Sequence, residues 1–299
     1  MIQIGKIEST AIIRAGKGGN IMIGAIIGDI VGSRFEFNNH KSMDFELFTE
    51  DCFVTDDTIM TLAVAKAILE TDRDIILGTS IQKQDEIYLN QLAKNTVSYM
   101  QLIGRNYPDC GYGSSFGQWI FSENPQPYGS YGNGAAMRIS SVVAIAEFED
   151  DVKRLSKAVT GVSHNHKEGL KGAEATSMAI FLARMGHDKE QIRQYSQGHY
   201  YSLDFTLDEI RDTYQFNETC QETVPQAIQA FLEADSFEDA IRKAISIGGD
   251  SDTLAAITGS IAEAYYGVPE DLVEKALMYL DDDLLEIYNE WCLNDVQKD

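Results

Sequence analysis

Two stretches constrain the fold of this chain more than any others, Ile59 to Leu69 and Leu254 to Tyr266. Each is apolar, nearly free of charge and long enough for several helical turns, and Lys66 is the only charge in the first. A helix that is apolar all round is buried all round, so both belong at the centre of a helical packing. Each is preceded by the same kind of sequence. Thr55-Asp56-Asp57-Thr58 leads into the first, and Gly248-Gly249-Asp250-Ser251-Asp252-Thr253 into the second. Glycines let the backbone bend where a side chain would forbid it. Acids and threonine favour a helix N-terminus, where unpaired N–H groups favour negative charge. One such residue is enough for a cap, and each stretch carries more oxygen ligands than capping requires.

Taken alone, Asp56-Asp57 reads as a cap with one spare acid. The matched pair reads differently. If the two buried helix starts converge, four carboxylates share one small volume, and like charges that close cannot all ionise without compensation. The simplest compensation is bound cations. The donors are all oxygen, which selects a hard ion: Mg²⁺, with Mn²⁺ as a possible substitute, and four carboxylates are enough for two ions.

The 299 residues suffice for one large domain or two modest ones, and 44% are hydrophobic, enough for a substantial core. The net charge of −23 excludes a basic footprint for nucleic acid and disfavours anionic membranes. An anionic substrate would need local cations or a bound metal to offset that field. Cys52, Cys110, Cys220 and Cys292 are far apart in sequence and read as core thiols of a reduced, cytoplasmic protein. No apolar run is long enough to span a bilayer. Gly16-Lys17-Gly18-Gly19 lacks the spacing and the following hydroxyl of a phosphate loop. An ordered pattern begins after Met22, so residues 1–21 read as an extension, with Met22 as a candidate natural start, and 22–299 as one all-α domain.

Along the chain, Gly24, Gly28 and Gly32 recur every four residues and would line one helix face open to close approach. Glu36 lies between Phe35 and Phe37, either as a surface acid or as a carboxylate whose pKa an apolar setting raises. Residues 38–54 read as a loop and 73–104 as further helix. Gly111-Tyr112-Gly113-Ser114-Ser115 leads into a helix and offers exposed N–H groups to phosphate, or is an ordinary turn. Asn133-Gly134-Ala135-Ala136-Met137-Arg138 opens another helix, running through Val142 and Ala146. Its small residues would let a ligand approach, and Arg138 would bind an anion or neutralise nearby acids. His164 and His166 sit two apart on a loop and cannot share a helix face; His164 is either a substrate contact or a solvated side chain. Helical patterns follow over 168–185, 189–197, 206–215, 223–234 (with Pro225 in its first turn), 236–246, 269–280 and 283–292. Period-two alternation is almost absent.

Five separated segments resemble the ADP-ribosylglycohydrolase family, which includes dinitrogenase-reductase-activating glycohydrolase. They are Gly28-Asp29-x-x-Gly32-Ser33-x-x-Glu36, Thr55-Asp56-Asp57-Thr58, Gly111-Tyr112-Gly113, Gly132-Asn133-Gly134-x-x-Met137-Arg138 and Gly248 to Thr253, in family order, with Ser163-His164 as a sixth. The resemblance spans residues 22 to about 267. It implies an orthogonal multi-helix bundle with a two-Mg²⁺ site held by Thr55, Asp56, Asp57, Asp250, Asp252 and Thr253. It places Glu36 where an acid gates or assists catalysis, with Asp57 or Asp250 as metal-bound alternatives for the base. It also implies that Gly111 to Ser115 hold a diphosphate, and that His164 and the Asn133–Arg138 segment line an ADP-ribose cleft.

The function expected from these features is Mg²⁺-dependent hydrolysis of the glycosidic bond between ADP-ribose and an arginine or serine side chain, or a small acceptor. The partners are then ADP-ribose and ADP-ribosylated proteins or small molecules. Two other readings share the motifs: a non-catalytic, crystallin-like relative that binds ADP-ribose, and a Mg²⁺-dependent nucleotide phosphohydrolase.

Overall fold

The computed structural model describes residues 21–76 and 85–295. The expected extension, Ile21 apart, lies outside the described residues, as does part of the helix expected over 73–104. The described chain is helical, in the order α1 (Ile23–Ser33), α2 (Asp56–Ile76), α3 (Glu86–Gly104), α4 (Ser114–Phe121), α5 (Gly134–Met137), α6 (Glu149–Thr160), α7 (Lys167–Arg184), α8 (Lys189–His199), α9 (Leu207–Ile210), α10 (Cys220–Glu233), α11 (Phe237–Ile245), α12 (Ser251–Tyr266), α13 (Glu270–Leu277) and α14 (Asp282–Asp295), with a 3₁₀ turn over Ser140–Ile145 between α5 and α6. Among the described residues, extended pairing is confined to one antiparallel bridge, Gly132 with Thr219.

The two uncharged runs become α2 and α12, as their periodicity predicts. Every residue from Ser251 to Ala262 is buried. Helices α1, α7, α10 and α11 surround α12, while α2 packs on α1, α3 and α14. The every-fourth glycines set the closest crossing, between α1 and α12. A Cβ on Gly24 would lie 2.2 Å from the Gly259 carbonyl oxygen, one on Gly28 2.1 Å from that of Ala255, and one on Gly32 2.5 Å from the Asp252 Cα. The helices therefore touch backbone to backbone, and all eleven residues of α1 are buried. At the far end of this pair, Glu263 of α12 accepts hydrogen bonds from the N–H groups of Met22 (3.0 Å) and Gly24 (2.7 Å), satisfying the N-terminus of α1.

Three segments depart from the helical pattern. The helix expected through Val142 and Ala146 is a 3₁₀ turn, because the chain bends at Arg138 (φ −97°, ψ 5°) and ends α5. The helix expected over 206–215 closes after Leu207–Ile210: the Lys41 ammonium takes the carbonyl oxygens of Arg211 (2.6 Å) and Tyr214 (2.8 Å), which a continuing helix would use internally. Pro225 lies beyond the first turn of α10, which begins earlier, at Cys220, where the Gly132–Thr219 bridge holds the chain.

Candidate active site

The starts of α2 and α12 converge on one cavity of about 580 Å³. Its walls include Glu36, Asp56, Asp57, Asp250, Asp252, Thr253, Gly111, Gly113, Ser114, Ser115, Asn133, Gly134, Met137, Arg138 and His164 from the sequence-derived set. Thr55 and Tyr112 do not line it. Thr55 Oγ1 donates to Asp29 Oδ1 at 2.6 Å, and the Tyr112 hydroxyl donates to the Gly104 carbonyl at 3.2 Å.

Each acid is placed by a different device. Gly248 and Gly249 have φ of +71° and +80°, a conformation glycine adopts without strain, and this turn delivers Asp250 to the N-cap of α12. Asp250 makes no capping bond with its own helix; its Oδ2 accepts from the Asn133 amide at 2.6 Å. Asn39 ties the same turn to the segment carrying Glu36, its amide bonding the carbonyls of Glu36 (2.9 Å) and Gly249 (2.8 Å) while its Oδ1 accepts from the Gly249 N–H (2.8 Å). Asp57 Oδ2 accepts from the Thr253 hydroxyl at 3.2 Å, the direct link between the two clusters. The Asp56 N–H donates to the Cys110 carbonyl at 3.0 Å, which ties α2 to the Gly111 loop.

Burial pushes the carboxyls of Asp57 and Asp252 well above the usual carboxylate range, and the neighbouring acids push them further. Glu36 is raised to about 8, first by burial and then by Asp250. The geometry accommodates a cation. Glu36, Asp250 and Asp252 each offer a carboxylate oxygen within 4.8 Å of the others. Asp57 Oδ1 is buried without a hydrogen-bond partner, and the donors are oxygen throughout.

One cation lines the same cavity, Arg138, within electrostatic reach of Asp56 and Asp57. Arg138 is fully buried, with its guanidinium 4.8 Å from the centre of the Phe116 ring. Its Nη2 donates to Ser163 Oγ (2.8 Å) and faces His164 Nδ1 (3.2 Å), while Nε and Nη1 have no partner. Burial and Arg138 push the His164 pKa well below its ordinary value, so the imidazole is neutral. Arginine can only donate, so Nδ1 is the acceptor and the proton sits on Nε2. Gly113 caps α4, and Ser114 and Ser115 form its exposed first turn at the cavity.

Three residues escape sequence reasoning. Asp29 is fully buried, and its Oδ2 accepts from the N–H groups of Thr55 (3.1 Å) and Thr58 (3.0 Å), capping α2 from another helix. Its position in Gly28-Asp29 was visible, but its target lies across a helix packing that the sequence does not display. Glu218 and Thr219 reach the cavity through the bridge to Gly132, with the Asn133 N–H on the Glu218 carbonyl at 2.8 Å. No local motif marks them. Asn133, expected on the ligand, spends its amide on Asp250 and on Thr223 Oγ1 (3.1 Å).

The family model for ADP-ribosylglycohydrolase matches residues 15–298. The chain belongs to the ADP-ribosylglycohydrolase family. It is 24% identical to ADP-ribosylhydrolase ARH3 of Mus musculus, with 88% of each chain covered. It is 23% identical to a putative ADP-ribosyl glycohydrolase, L543, of Acanthamoeba polyphaga mimivirus, covering 83% of this chain and 86% of that one. A solved structure titled ADP-ribosylglycohydrolase-related protein complex superposes with a TM-score of 0.62 at 19% identity, over 91% of this chain and 95% of the other, a likeness in fold. The family's reaction is hydrolysis at an ADP-ribose glycosidic bond, and the solved structure shares the fold.

Proposed function

We propose that this ADP-ribosylglycohydrolase is a Mg²⁺-dependent enzyme that cleaves ADP-ribose from an arginine or serine side chain, or from a small acceptor. The observation that carries the reading is the meeting of Glu36, Asp57, Asp250 and Asp252 in one cavity, with Asp57 Oδ1 buried and unpartnered. Two Mg²⁺ ions held by Asp56, Asp57, Asp250, Asp252 and Thr253 would supply the positive charge that lets these carboxylates ionise together and makes a water more acidic. Thr55 would act from behind, through its bond to Asp29.

The protein's own groups account for the rest. Arg138, the neutral His164 with its Nε2 proton, and the exposed N–H groups at the start of α4 face the diphosphate. The acid wall then faces the distal ribose. Water adds to the anomeric carbon as the bond to the acceptor breaks; a carboxylate, with Glu36 as the candidate, takes one water proton and passes it to the leaving acceptor atom. A cytoplasmic setting is part of the proposal, supported by four cysteines that form no disulfide.

The test is direct. Purified protein with Mg²⁺ is incubated with arginine-linked, serine-linked and acetyl-linked ADP-ribose, and products are separated by mass. Intact ADP-ribose, lost on chelation, is the expected product. Release of phosphate would favour a nucleotide phosphohydrolase, and tight ADP-ribose binding without turnover a non-catalytic relative.

A further inference from the structure

Asp56, Asp57, Asp250 and Asp252 stand at the starts of α2 and α12, where helix geometry fixes their backbones. Glu36 has no such support. It lies beyond the end of α1, and its N–H bonds the Ser33 carbonyl at a long 3.5 Å. One of its carboxylate oxygens nevertheless lies within 4.8 Å of oxygens of Asp250 and Asp252. The side chain that holds its backbone there is Asn39, a residue that does not line the cavity.

Asn39 works in two directions. Back along its own segment, Nδ2 donates to the carbonyls of Phe35 and Glu36, both at 2.9 Å. Across the fold it pairs with the backbone of Gly249: Nδ2 donates to the carbonyl and Oδ1 accepts from the N–H, each at 2.8 Å. Two bonds of opposite sense fix orientation as well as distance. Asparagine suits this place, since aspartate has no donor, serine has no second arm and glutamine is a methylene longer. Gly248 leaves room for the amide, because a Cβ there would come 2.9 Å from Asn39 Oδ1. Asn39 is itself exposed, so its amide gains little over hydration, and what the contact secures is the backbone on either side. Gly249 immediately precedes Asp250, so the contact joins the backbone of Glu36 to the turn that delivers Asp250. Farther out, Lys41 on the carbonyls of Arg211 and Tyr214, and the Phe37 ring on that of Phe216, tie the same segment to the chain after α9.

We infer that Asn39 is a positioning residue for the hydrolysis, holding the Glu36 carboxylate in register with Asp250 through the backbones of both. The inference rests on the reading of Glu36 as the carboxylate that takes the water proton, and adds the residue that aims it. The turn before α12 is also held from its other face, where a Cβ on Gly249 would come 2.4 Å from the Tyr214 ring. Loss of Asn39 therefore releases Glu36 and leaves Asp250 in place.

The experiment compares the wild type, Asn39→Ala, Glu36→Gln and the double variant, with Mg²⁺, on an ADP-ribosylated peptide that the wild type turns over. Asn39→Ala is expected to lower kcat by about 10- to 100-fold, the loss that follows from a misaimed catalytic group, and to change KM by less than about twofold. The double variant separates aiming from general support: added to Glu36→Gln, Asn39→Ala should lower kcat by less than about twofold further, because the group it aims has already lost its function. Two readouts need no turnover. Hydrogen exchange at the Gly249 amide should accelerate in Asn39→Ala, and Mg²⁺ affinity by calorimetry should match the wild type. An unchanged kcat, an unchanged exchange rate at Gly249, a full further loss in the double variant, or a fall in Mg²⁺ affinity parallel to that in kcat would each overturn the inference while leaving the hydrolase reading intact. A Glu36→Gln variant as active as the wild type would remove Glu36 as proton acceptor and Asn39 as its positioning residue. A wild type that turns over no ADP-ribosylated peptide would remove the hydrolase reading and, with it, this one.

Discussion

The two acid-bearing helix starts look alike in sequence and are held in opposite ways. Both lean on α1. At α12, contact is through backbone: Gly32 lies against Asp252 and Ser251 so closely that a Cβ there would come within 2.5–2.6 Å of their backbone atoms. At α2, contact is through a side chain, with the Asp29 carboxylate holding Thr55 and Thr58. The threonines divide accordingly. Thr55 turns back to Asp29, whereas Thr253 reaches across to Asp57. One helix therefore fixes both halves of the acid cluster, one half by steric fit and the other by hydrogen bonds. Steric fit tolerates almost no change in volume, while a hydrogen-bonded start can shift and still bond. The α12 half is accordingly the rigid reference, and the α2 half the adjustable one.

The largest effect should come from neutralising one acid on each side. Asp57→Asn and Asp252→Asn are each expected to lower turnover by about 10³-fold, since both remove a charge that a metal needs. Each should also raise the melting temperature of chelator-treated protein by a few degrees, because burial and then the neighbouring acids push both carboxyls up, and neutralising either relieves both costs. Thermal scans with and without Mg²⁺ check this, and the metal should stabilise the wild type more than either variant. Variants less stable than the wild type without metal would mean that the cluster is not under electrostatic strain.

The two attachments to α1 can then be broken separately. Gly32→Ala forces a methyl group against the Asp252 backbone and should cost about 1–3 kcal/mol, together with weaker Mg²⁺ binding. Gly113→Ala, where a Cβ would meet nothing within 4 Å, is the matched control for folding. Asp29→Ala removes the cap on α2 at a cost of about 1 kcal/mol, partly offset by losing one negative charge. Urea titration gives the energies. Hydrogen exchange at the Thr58 amide separates the mechanisms, since it should accelerate in Asp29→Ala and stay slow in Gly32→Ala. If both variants loosened Thr58 equally, the division between a steric and a hydrogen-bonded half would fail.

Much of this was legible in the sequence where one residue type serves one local demand. The every-fourth glycines announced a close helix crossing, and the uncharged runs announced central helices. The acids at their N-termini announced a shared cavity. The rest depended on contacts between residues far apart in sequence. Thr55 and Asp29 are 26 positions apart, and Asn133 and Asp250 are 117 apart. Asn133 sits in a recognisable motif, yet its amide serves the acid cluster, because a short bridge to Thr219 fixes the backbone on which it stands. Glu218 carries no sequence signal, since its place at the cavity comes entirely from that bridge. Lys41 shortened a helix 170 residues away by taking its carbonyls.

The smallest effect tests whether α1 is the shared frame at its other end. Glu263 caps the N-terminus of α1, where burial pushes its carboxyl up to about 8 while the N–H groups of Gly24 and Met22 pull it down. Burial dominates, so the folded protein holds a proton that the unfolded chain has released above its ordinary value of 4.5. Stability from this group is complete below pH 4.5 and declines as the pH rises to about 8. Glu263→Gln carries a neutral group at every pH and removes that decline. Its melting temperature relative to the wild type should therefore rise between pH 5 and pH 8. The alternative is that the helix N-terminus holds a charged carboxylate more strongly than burial opposes it. The wild type would then gain on the variant over the same range, and α1 would be anchored by charge at this end and by close backbone contact at Gly32.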